Sequence, residues 1–141
     1  MSAAYAALSD RMKSYLNGLT ATHDGERVWR GREQDIDDRG TVYPRYVHPV
    51  VRKHPVTGKN GLFVNAVFTT HINGIPRDES DDILALLYKH CNKPIFQVRF
   101  RWEKNSVAFW DNRCVQHIAL CDYFPETRSG YRVTIVGERP I

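Results

Sequence analysis

Residues 46–65 read YVHPVVRKHPVTGKNGLFVN, and this stretch decides the expected class of fold. Two apolar runs, 46–51 and 62–65, flank the turn sequence HPVTGKNG. Short runs that are rich in β-branched and aromatic residues, and that are separated by Gly and Pro, predict antiparallel strands. The stretch therefore predicts a β protein that is built from short strands and tight turns.

Further short runs of the same kind follow along the chain, and FQVRFRW is the clearest of them. Its apolar and polar residues alternate strictly, which predicts a strand with one buried face. The turn sequences EKNS and PETRSG separate these runs at the spacing that is typical of an antiparallel sandwich or barrel. The additional predicted strands are 68–72, 96–102, 107–111, 115–120 and 132–136.

Helical periodicity is confined to two places. Apolar residues recur every three or four positions near the N-terminus, which predicts a helix over 1–21, and again at about 80–91. Between the first helix and the first strand, segment 22–45 is polar and punctuated by glycine, which predicts a long loop. The organisation is one domain, 1–141, in which 46–141 holds the strands and the second helix.

The composition matches a single soluble domain and excludes several classes of protein. The chain has 141 residues, of which 42% are hydrophobic and 26% charged, and no apolar run approaches the roughly 18 residues of a membrane span. The N-terminus lacks the features of a secretory signal, so a cytoplasmic location is expected. Three cysteines without a CxxC pair indicate free thiols. The net charge of +4 is spread along the chain, which favours a small anionic ligand over a nucleic acid.

Arg128, Gly130 and Arg132 form a distinctive group on one predicted strand. Side chains alternate along a strand, so these three share one face. Each guanidinium offers a planar fork that matches a carboxylate or a sulfonate, and the glycine between them allows a close approach to the backbone. From spacing alone, the group is either a solvated edge strand or a pocket for two anions.

His117 is the candidate metal ligand, but one imidazole cannot hold a metal. The other histidines form no HxxxH pair, and no HxD occurs in the 141 residues. His48 and His54 each precede a proline in an extended segment, and structural roles are expected for them. Taken alone, His117 is either an ordinary hydrogen-bonded histidine or one half of a site whose other half lies elsewhere.

Several motifs in order, HPVVRKHPVTGKNGLFVN, FTTHI, FQVRFRW, VAFWDNRCVQH and YRVTIVGERP, resemble the C-terminal half of the TauD/TfdA family of iron(II), 2-oxoglutarate-dependent oxygenases. The resemblance implies a mainly β fold with flanking helices, a double-stranded β-helix or jelly roll. It also implies that this jelly roll is incomplete here, because the N-terminal strands of the family are absent.

The same resemblance implies a site and its ligands. Fe(II), 2-oxoglutarate and O₂ are the expected cofactor and cosubstrates, and the expected substrate is a small anion, most simply a sulfonate, with a sulfate ester or an aryloxyacetate as alternatives. His117 matches a metal-binding histidine, Arg128 the arginine for 2-oxoglutarate, and Arg132 the arginine for the substrate anion. Phe68 and Trp29 match apolar residues of the substrate pocket.

One departure from the family leaves a second function open. The family's other two iron ligands form an HxD motif upstream of the helix that begins this chain, and the sequence has none. Iron binding by His117 alone is expected to be weak, because most of the binding energy requires the full ligand set. The alternative is a catalytically inactive fragment or an anion-binding relic. Unpaired strand edges also predict that the chain forms a homo-oligomer, is poorly stable, or is a fragment of a longer gene product.

Overall fold

The computed structural model describes residues 1–30 and 40–140. Much of the predicted loop, residues 31–39, lies outside the described residues, as does residue 141. The described elements are helices and short strands that are concentrated in the first two thirds of the chain. In chain order they are α1 Ser2–Ala6, α2 Asp10–Leu16, β1 Thr20–Asp24, α3 Glu26–Trp29, β2 Arg45–Pro49, β3 Val51–Lys53, β4 Asn60–Leu62, β5 Thr69–Ile72 and α4 Arg77–Cys91, followed by a 3-10 turn at Pro94–Phe96.

The predicted N-terminal helix is two helices rather than one. Ser9 is the N-cap of α2, and its hydroxyl accepts a hydrogen bond from the backbone N–H of Met12 at 3.2 Å. A serine at this position satisfies an otherwise unpaired N–H and starts a new helix. Helix is therefore present at Ser2–Ala6 and Asp10–Leu16, but the prediction of one continuous helix over 1–21 was wrong, and its last two residues belong to β1.

The main sheet has three antiparallel strands in the order β2-β1-β5. Thr20 pairs with Pro49 on one side of β1, and Ala21 pairs with Ile72 on the other. The loop predicted for 22–45 was therefore wrong at its start, where β1 lies, and at Glu26–Trp29, where α3 lies. The sequence of β1, TATHD, lacks the alternating pattern of a half-covered strand because both of its faces are partly buried.

A hairpin lies around HPVTGKNG, but its second strand is nearer the turn than predicted: β4 is Asn60–Leu62, and residues 63–65 of the predicted strand 62–65 are not strand. Strands β3 and β4 pair antiparallel, with Val51 opposite Leu62. The predicted strand 46–51 is divided at Val50, which is fully buried and lies between β2 and β3. The backbone N–H of Val50 donates to the carbonyl of Leu19, and its carbonyl accepts from Phe63, so this residue connects the two sheets.

Helix α4 covers β5 and completes the core. The predicted helix at about 80–91 is confirmed and begins slightly earlier, at Arg77. The hydroxyl of Ser80, which is fully buried, accepts a hydrogen bond from the N–H of Ile72 at 2.8 Å and so joins the helix to the end of the strand. The largest fully buried apolar side chains are Leu16, Leu62, Ile72, Leu87, Val50 and Val64.

The strands predicted for 96–102, 107–111, 115–120 and 132–136 are not formed, and these predictions were wrong. Residues 97–140 contain no strand, and Val98, Phe109 and Val133 are 94%, 89% and 91% exposed. Alternation shows that a segment has one apolar face, but a strand also needs a neighbour for its N–H and carbonyl groups. Among the described residues, none of these segments pairs as a strand with another; the sheets are the two small antiparallel ones, and the jelly roll stays a prediction.

Helices in the described part of the chain are short relative to a bilayer. The longest, α4, has 15 residues, and none is both long and apolar enough to cross a membrane.

Candidate functional site

The WDNR turn, residues 110–113, presents His117 at the surface. The His117 ring is exposed, and its centroid lies 5.0 Å from that of Trp110 at an interplanar angle of 50°. The indole N–H of Trp110 donates to Asn112 Oδ1 at 2.9 Å. The neighbouring Gln116 donates through Nε2 to the carbonyl of Val64 at 2.6 Å. The imidazole is therefore carried by a segment that Gln116, the residue before it, attaches to the folded part of the chain.

Arg128 and Arg132 are exposed and lie in the extended segment that has no strand. The guanidinium carbon of Arg128 is 5.6 Å from the ring centroid of Tyr123, and a side chain at Gly130 would meet nothing within 4 Å. In the described residues, no hydrogen bond, ion pair or ring contact connects His117 with either arginine. Side chains alternate between two faces only within a strand. Because residues 128–132 form none, a shared anion-binding face stays a prediction.

Trp29 and Phe68, the two predicted pocket aromatics, are in contact. Their ring centroids are 6.0 Å apart at an interplanar angle of 62°. Asn65 holds the turn before Phe68, because its Oδ1 accepts from the N–H groups of Val67 at 3.1 Å and Phe68 at 2.8 Å. Thr69 closes the same turn by accepting from the N–H of Asn65 at 2.9 Å. Two of the five predicted site residues are thus neighbours, although they are far apart in sequence.

Next to this turn lies a cluster of partly buried rings around His23. The His23 ring stacks on Phe63 with centroids 5.7 Å apart and meets His48 edge to face at 5.1 Å. Burial, and then the neighbouring His48, lower the pKa of His23 to about 4. Burial, and then the charges of Arg139 and Arg52, lower the pKa of His48. Both rings are therefore neutral at pH 7, which agrees with the structural role expected for His48.

A group of charged residues, which we call the polar clamp, joins three distant segments of the chain. It consists of Arg52, His54, Asp111, Arg113 and Glu138. His54 Nε2 is 3.0 Å from Asp111 Oδ2, and Arg113 binds both carboxylate oxygens of Asp111, with Nε to Oδ1 at 2.9 Å and Nη2 to Oδ2 at 2.8 Å. Glu138 accepts from Arg52 at 3.2 Å and from Arg113 at 3.5 Å. The clamp therefore attaches the WDNR turn to the β3-β4 hairpin.

The electrostatics of the clamp are those of a tightly paired network. Hydrogen bonds from Arg113, and then from His54, hold the pKa of Asp111 far below its usual range. The same bond raises the pKa of Arg113. A backbone hydrogen bond, and then Arg113, lower the pKa of Glu138. Asp111 and Glu138 are therefore fully ionised at neutral pH and act as fixed anions beside the two arginines.

Three members of this region could in principle hold a metal, but their hydrogen bonds argue against it. Ligand atoms of His54, Asp111 and Cys114 lie within 4.8 Å of one another. However, His54 Nδ1 accepts from the backbone N–H groups of Val56 at 3.2 Å and Thr57 at 3.1 Å. An imidazole whose Nδ1 is an acceptor carries its proton on Nε2, so Nε2 donates to Asp111 and has no lone pair for a metal.

The described residues around His117 do not fit an iron centre by themselves. A non-haem iron site of this type needs two histidines and a carboxylate on one side of the metal. Within residues 1–30 and 40–140, the one group of three potential ligand residues is the His54 group, which does not include His117. In the described part of the chain, no second histidine or carboxylate is therefore grouped with His117 to complete an iron site.

A cavity of about 170 Å³ lies between α4 and β5, away from the WDNR turn. None of the five predicted site residues lines it. Its lining residues are Arg27, Ala66, Thr69, Thr70, Arg77, Asp81, Leu84, Ala85 and Tyr88.

Comparisons with known proteins identify the family. The family described as "Taurine catabolism dioxygenase TauD, TfdA family" matches residues 1–134. The chain belongs to this family, whose named members include 2-oxoglutarate-dependent dioxygenases. The resemblance seen in the motifs is thereby confirmed.

Individual relatives agree with this assignment. A putative alpha-ketoglutarate-dependent sulfonate dioxygenase of Schizosaccharomyces pombe is 44% identical over 144 residues, which cover 98% of this chain and 36% of the relative. An alpha-ketoglutarate-dependent sulfate ester dioxygenase of Pseudomonas putida is 36% identical over 149 residues, which cover 99% of this chain and 49% of the relative. The crystal structure of a taurine dioxygenase from Burkholderia xenovorans matches with a TM-score of 0.67 and 36% identity, over 80% of this chain and 35% of that one. The chain thus spans about a third to a half of the length of these relatives.

Sequence reasoning missed the polar clamp. Its members occur in the motifs RKH, WDNR and GER. However, the paired residues are far apart along the chain: 57 residues separate His54 from Asp111, and 86 separate Arg52 from Glu138. The one available signal was a run of charged residues inside otherwise apolar motifs, which does not say what each charge contacts.

Proposed function

We propose that this chain forms the anion-binding and histidine-bearing part of an Fe(II)- and 2-oxoglutarate-dependent dioxygenase that acts on a small sulfonate or a related anion. The observation that carries the proposal is the WDNR turn, which the polar clamp anchors and which presents an exposed imidazole, His117. Membership in the TauD/TfdA family supports it. The names of the relatives, a sulfonate dioxygenase and a sulfate ester dioxygenase, support the choice of an anionic substrate.

Each predicted residue has a binding role in this proposal. Arg128 pairs with the distal carboxylate of 2-oxoglutarate, and Arg132 pairs with the anionic group of the substrate, because a guanidinium fork matches both kinds of anion. Trp29 and Phe68 form an apolar wall for the rest of the substrate, which their ring contact supports. The described residues bind and orient; O₂ is the second cosubstrate of the complete site.

The metal requires ligands from beyond the described residues. His117 supplies one imidazole, and no described carboxylate or second histidine accompanies it. The extended segment 97–140 needs strand partners as well, because apolar side chains such as Val98 and Phe109 are almost fully exposed. A complementary segment could supply both the strand partners and the metal ligands. A second copy of the chain could cover the apolar side chains but would not by itself supply the ligands.

The alternative function is an anion-binding relic without oxygenase chemistry; residues 1–141 contain no HxD motif. Arginines that bind 2-oxoglutarate are common to both candidates. The two differ in whether Fe(II) strengthens that binding and whether succinate forms.

A titration calorimetry experiment tests the binding roles. We expect 2-oxoglutarate to bind the chain, and Arg128→Met to weaken binding about tenfold or more, because a charge-assisted hydrogen bond contributes about 1.5–3 kcal/mol. Arg101→Met is the matched control, since Arg101 is also an exposed arginine of the extended segment. Equal affinities for the wild type and Arg128→Met contradict the proposed role.

A second measurement separates the two candidate functions. Fe(II) is added under anaerobic conditions to a longer form of the protein that supplies the other ligands, followed by air, ascorbate and a panel of sulfonates and sulfate esters, and succinate release is measured. Succinate above the blank, and its loss in His117→Ala, supports the dioxygenase. Binding of 2-oxoglutarate that Fe(II) does not affect, with no succinate, supports the relic.

A further inference from the structure

The polar clamp contains a histidine whose two ring nitrogens serve different segments. His54 is buried at 7% exposure, and its Nδ1 accepts from the N–H groups of Val56 and Thr57 inside the turn of the β3-β4 hairpin. Its Nε2 faces Asp111 Oδ2 at 3.0 Å. Because the hairpin turn forces the proton onto Nε2, the ring must donate to Asp111. The His54 side chain thus connects the β3-β4 hairpin to the WDNR turn through hydrogen bonds at both of its ring nitrogens.

Asp111, which His54 holds in place, is also hydrogen-bonded to the residues that follow it. Its Oδ1 accepts from the backbone N–H of Arg113 at 2.8 Å, and its carbonyl accepts from the N–H of Cys114 at 3.1 Å. These bonds determine the shape of the turn. Trp110, the residue before Asp111, carries the ring that contacts His117 at 5.0 Å. The orientation of the exposed imidazole therefore depends on how Asp111 is held.

We propose that His54 is a positioning residue for His117: through its Nε2 hydrogen bond to Asp111 it sets the turn that carries Trp110, and so sets the orientation of the His117 ring. The importance of that orientation for chemistry rests on the proposed function. The link from His54 to the His117 ring orientation is independent of the proposed function, because it concerns the protein without metal or cosubstrate. Arg52 and Glu138 support the same turn from its outer side, through Arg113.

Two substitutions at position 54 each remove one of the two hydrogen-bonding functions of the ring and keep the other. In His54→Asn the side-chain carbonyl stands where Nδ1 stood, so it accepts from the hairpin turn but cannot reach Asp111. In His54→Gln the longer amide reaches Asp111 with an N–H, but no acceptor remains for the hairpin turn. A role confined to the stability of the hairpin predicts that Gln is the more harmful change, whereas the proposed role predicts that Asn displaces His117.

The measurement is the ring C–H resonance of His117 in protein labelled with ¹³C at histidine, assigned by its loss in His117→Ala. The ring of Trp110 shifts this resonance away from that of a free histidine, so the signal reports the distance and angle between the two rings. No metal and no cosubstrate is added. The result is therefore independent of whether the dioxygenase proposal holds, and 2-oxoglutarate binding is measured separately on the same variants.

We expect His54→Asn to move the His117 resonance toward that of free histidine and His54→Gln to leave it close to the wild-type position. Asp111→Asn is expected to resemble His54→Asn, and it decides the matter if His54→Asn does not give a folded spectrum. His71→Asn is the matched control on β5, where His71 hydrogen-bonds with Thr70 rather than with the clamp. Any other pattern, above all an unmoved resonance in His54→Asn and Asp111→Asn while the melting temperature falls, reduces the clamp to a purely structural role and overturns the proposal.

Discussion

Acidification is expected to destabilise the fold through His23, in the central strand of the main sheet. The ring is enclosed by Phe63 and His48, and its Nε2 lies 3.3 Å from the hydroxyl of Thr69. No carboxylate is among these contacts, so a proton on the ring gains no opposite charge. The perturbation that tests this is a change of pH from 7.5 to 4, in the wild type and in His23→Gln.

The sign and size of the effect follow from the pKa of His23, which falls from an ordinary value of 6.5 to about 4 in the folded protein. Because the folded state binds the proton less readily than the unfolded state, the contribution to stability is fully present above pH 6.5 and is lost as the pH falls toward 4. At about 1.4 kcal/mol for each pKa unit, the upper limit is about 3 kcal/mol. The ring is partly accessible to solvent, which reduces the expected loss to ~1–2 kcal/mol.

Other titrating groups act in distinguishable ways. The pKa of His48 is also lowered, so its contribution has the same sign and adds to the wild-type slope. Asp24, Asp111 and Glu138 have lowered pKa values too, but their contributions are lost as the pH falls below the ordinary carboxylate values near 4. The change in stability between pH 6.5 and pH 5 therefore belongs chiefly to the two histidines.

Urea denaturation followed by circular dichroism at several pH values measures the effect. We expect the free energy of unfolding of the wild type to fall between pH 6.5 and 5, and the curve of His23→Gln to be flatter over that interval. Leu87→Ala is the control, because it destabilises the core without removing a titrating group and should give a lower, parallel curve. If His23→Gln retains the full wild-type slope, the assignment of this pH dependence to His23 is refuted.

Three further substitutions test the packing that supports the site. Ser80→Ala leaves the buried N–H of Ile72 without an acceptor and should lower the free energy of unfolding by ~1–3 kcal/mol, measured by urea denaturation, whereas Ser80→Thr should restore part of the loss. Leu87→Ala removes a fully buried side chain between α4 and the sheet and should cost ~2–5 kcal/mol; a smaller cost in thermal denaturation would mean that the space collapses. Asn65→Ala removes the acceptor that holds Phe68 in its turn and should weaken the nuclear Overhauser contacts between Phe68 and Trp29, while Asn65→Asp should retain them.

The parts of the fold that were predicted correctly are those whose signals are local. Helix α4 has its apolar positions on one face, with acidic residues in its first turn, and the β3-β4 hairpin has two apolar runs around a glycine-containing turn. The parts that were predicted wrongly depend on neighbours. β1 was divided between the predicted helix 1–21 and the predicted loop 22–45, because its short sequence is partly covered on both faces and lacks alternation.

The candidate site divides in the same way. Family motifs indicated His117, Arg128 and Arg132 from the sequence, and their roles stay predictions because no described contact joins the imidazole to the arginines. The contact between Trp29 and Phe68 was implied only as a shared pocket, and the structure places the two rings 6.0 Å apart. The polar clamp was not predicted at all.

By itself, the sequence determined the family, the hairpin and helix α4, because each of these depends on a local motif or on a short-range period. The anion-binding roles of Arg128 and Arg132 stay predictions from the same motifs. Only the tertiary structure decided which strand lies at the centre of the sheet, that His54 donates to Asp111, and that FQVRFRW does not form a strand among the described residues. The physical reason is that hydrogen bonds and burial are shared between two partners. The sequence of a segment shows which of its groups must be hydrogen-bonded or buried. Only the fold shows whether another segment lies close enough to do so.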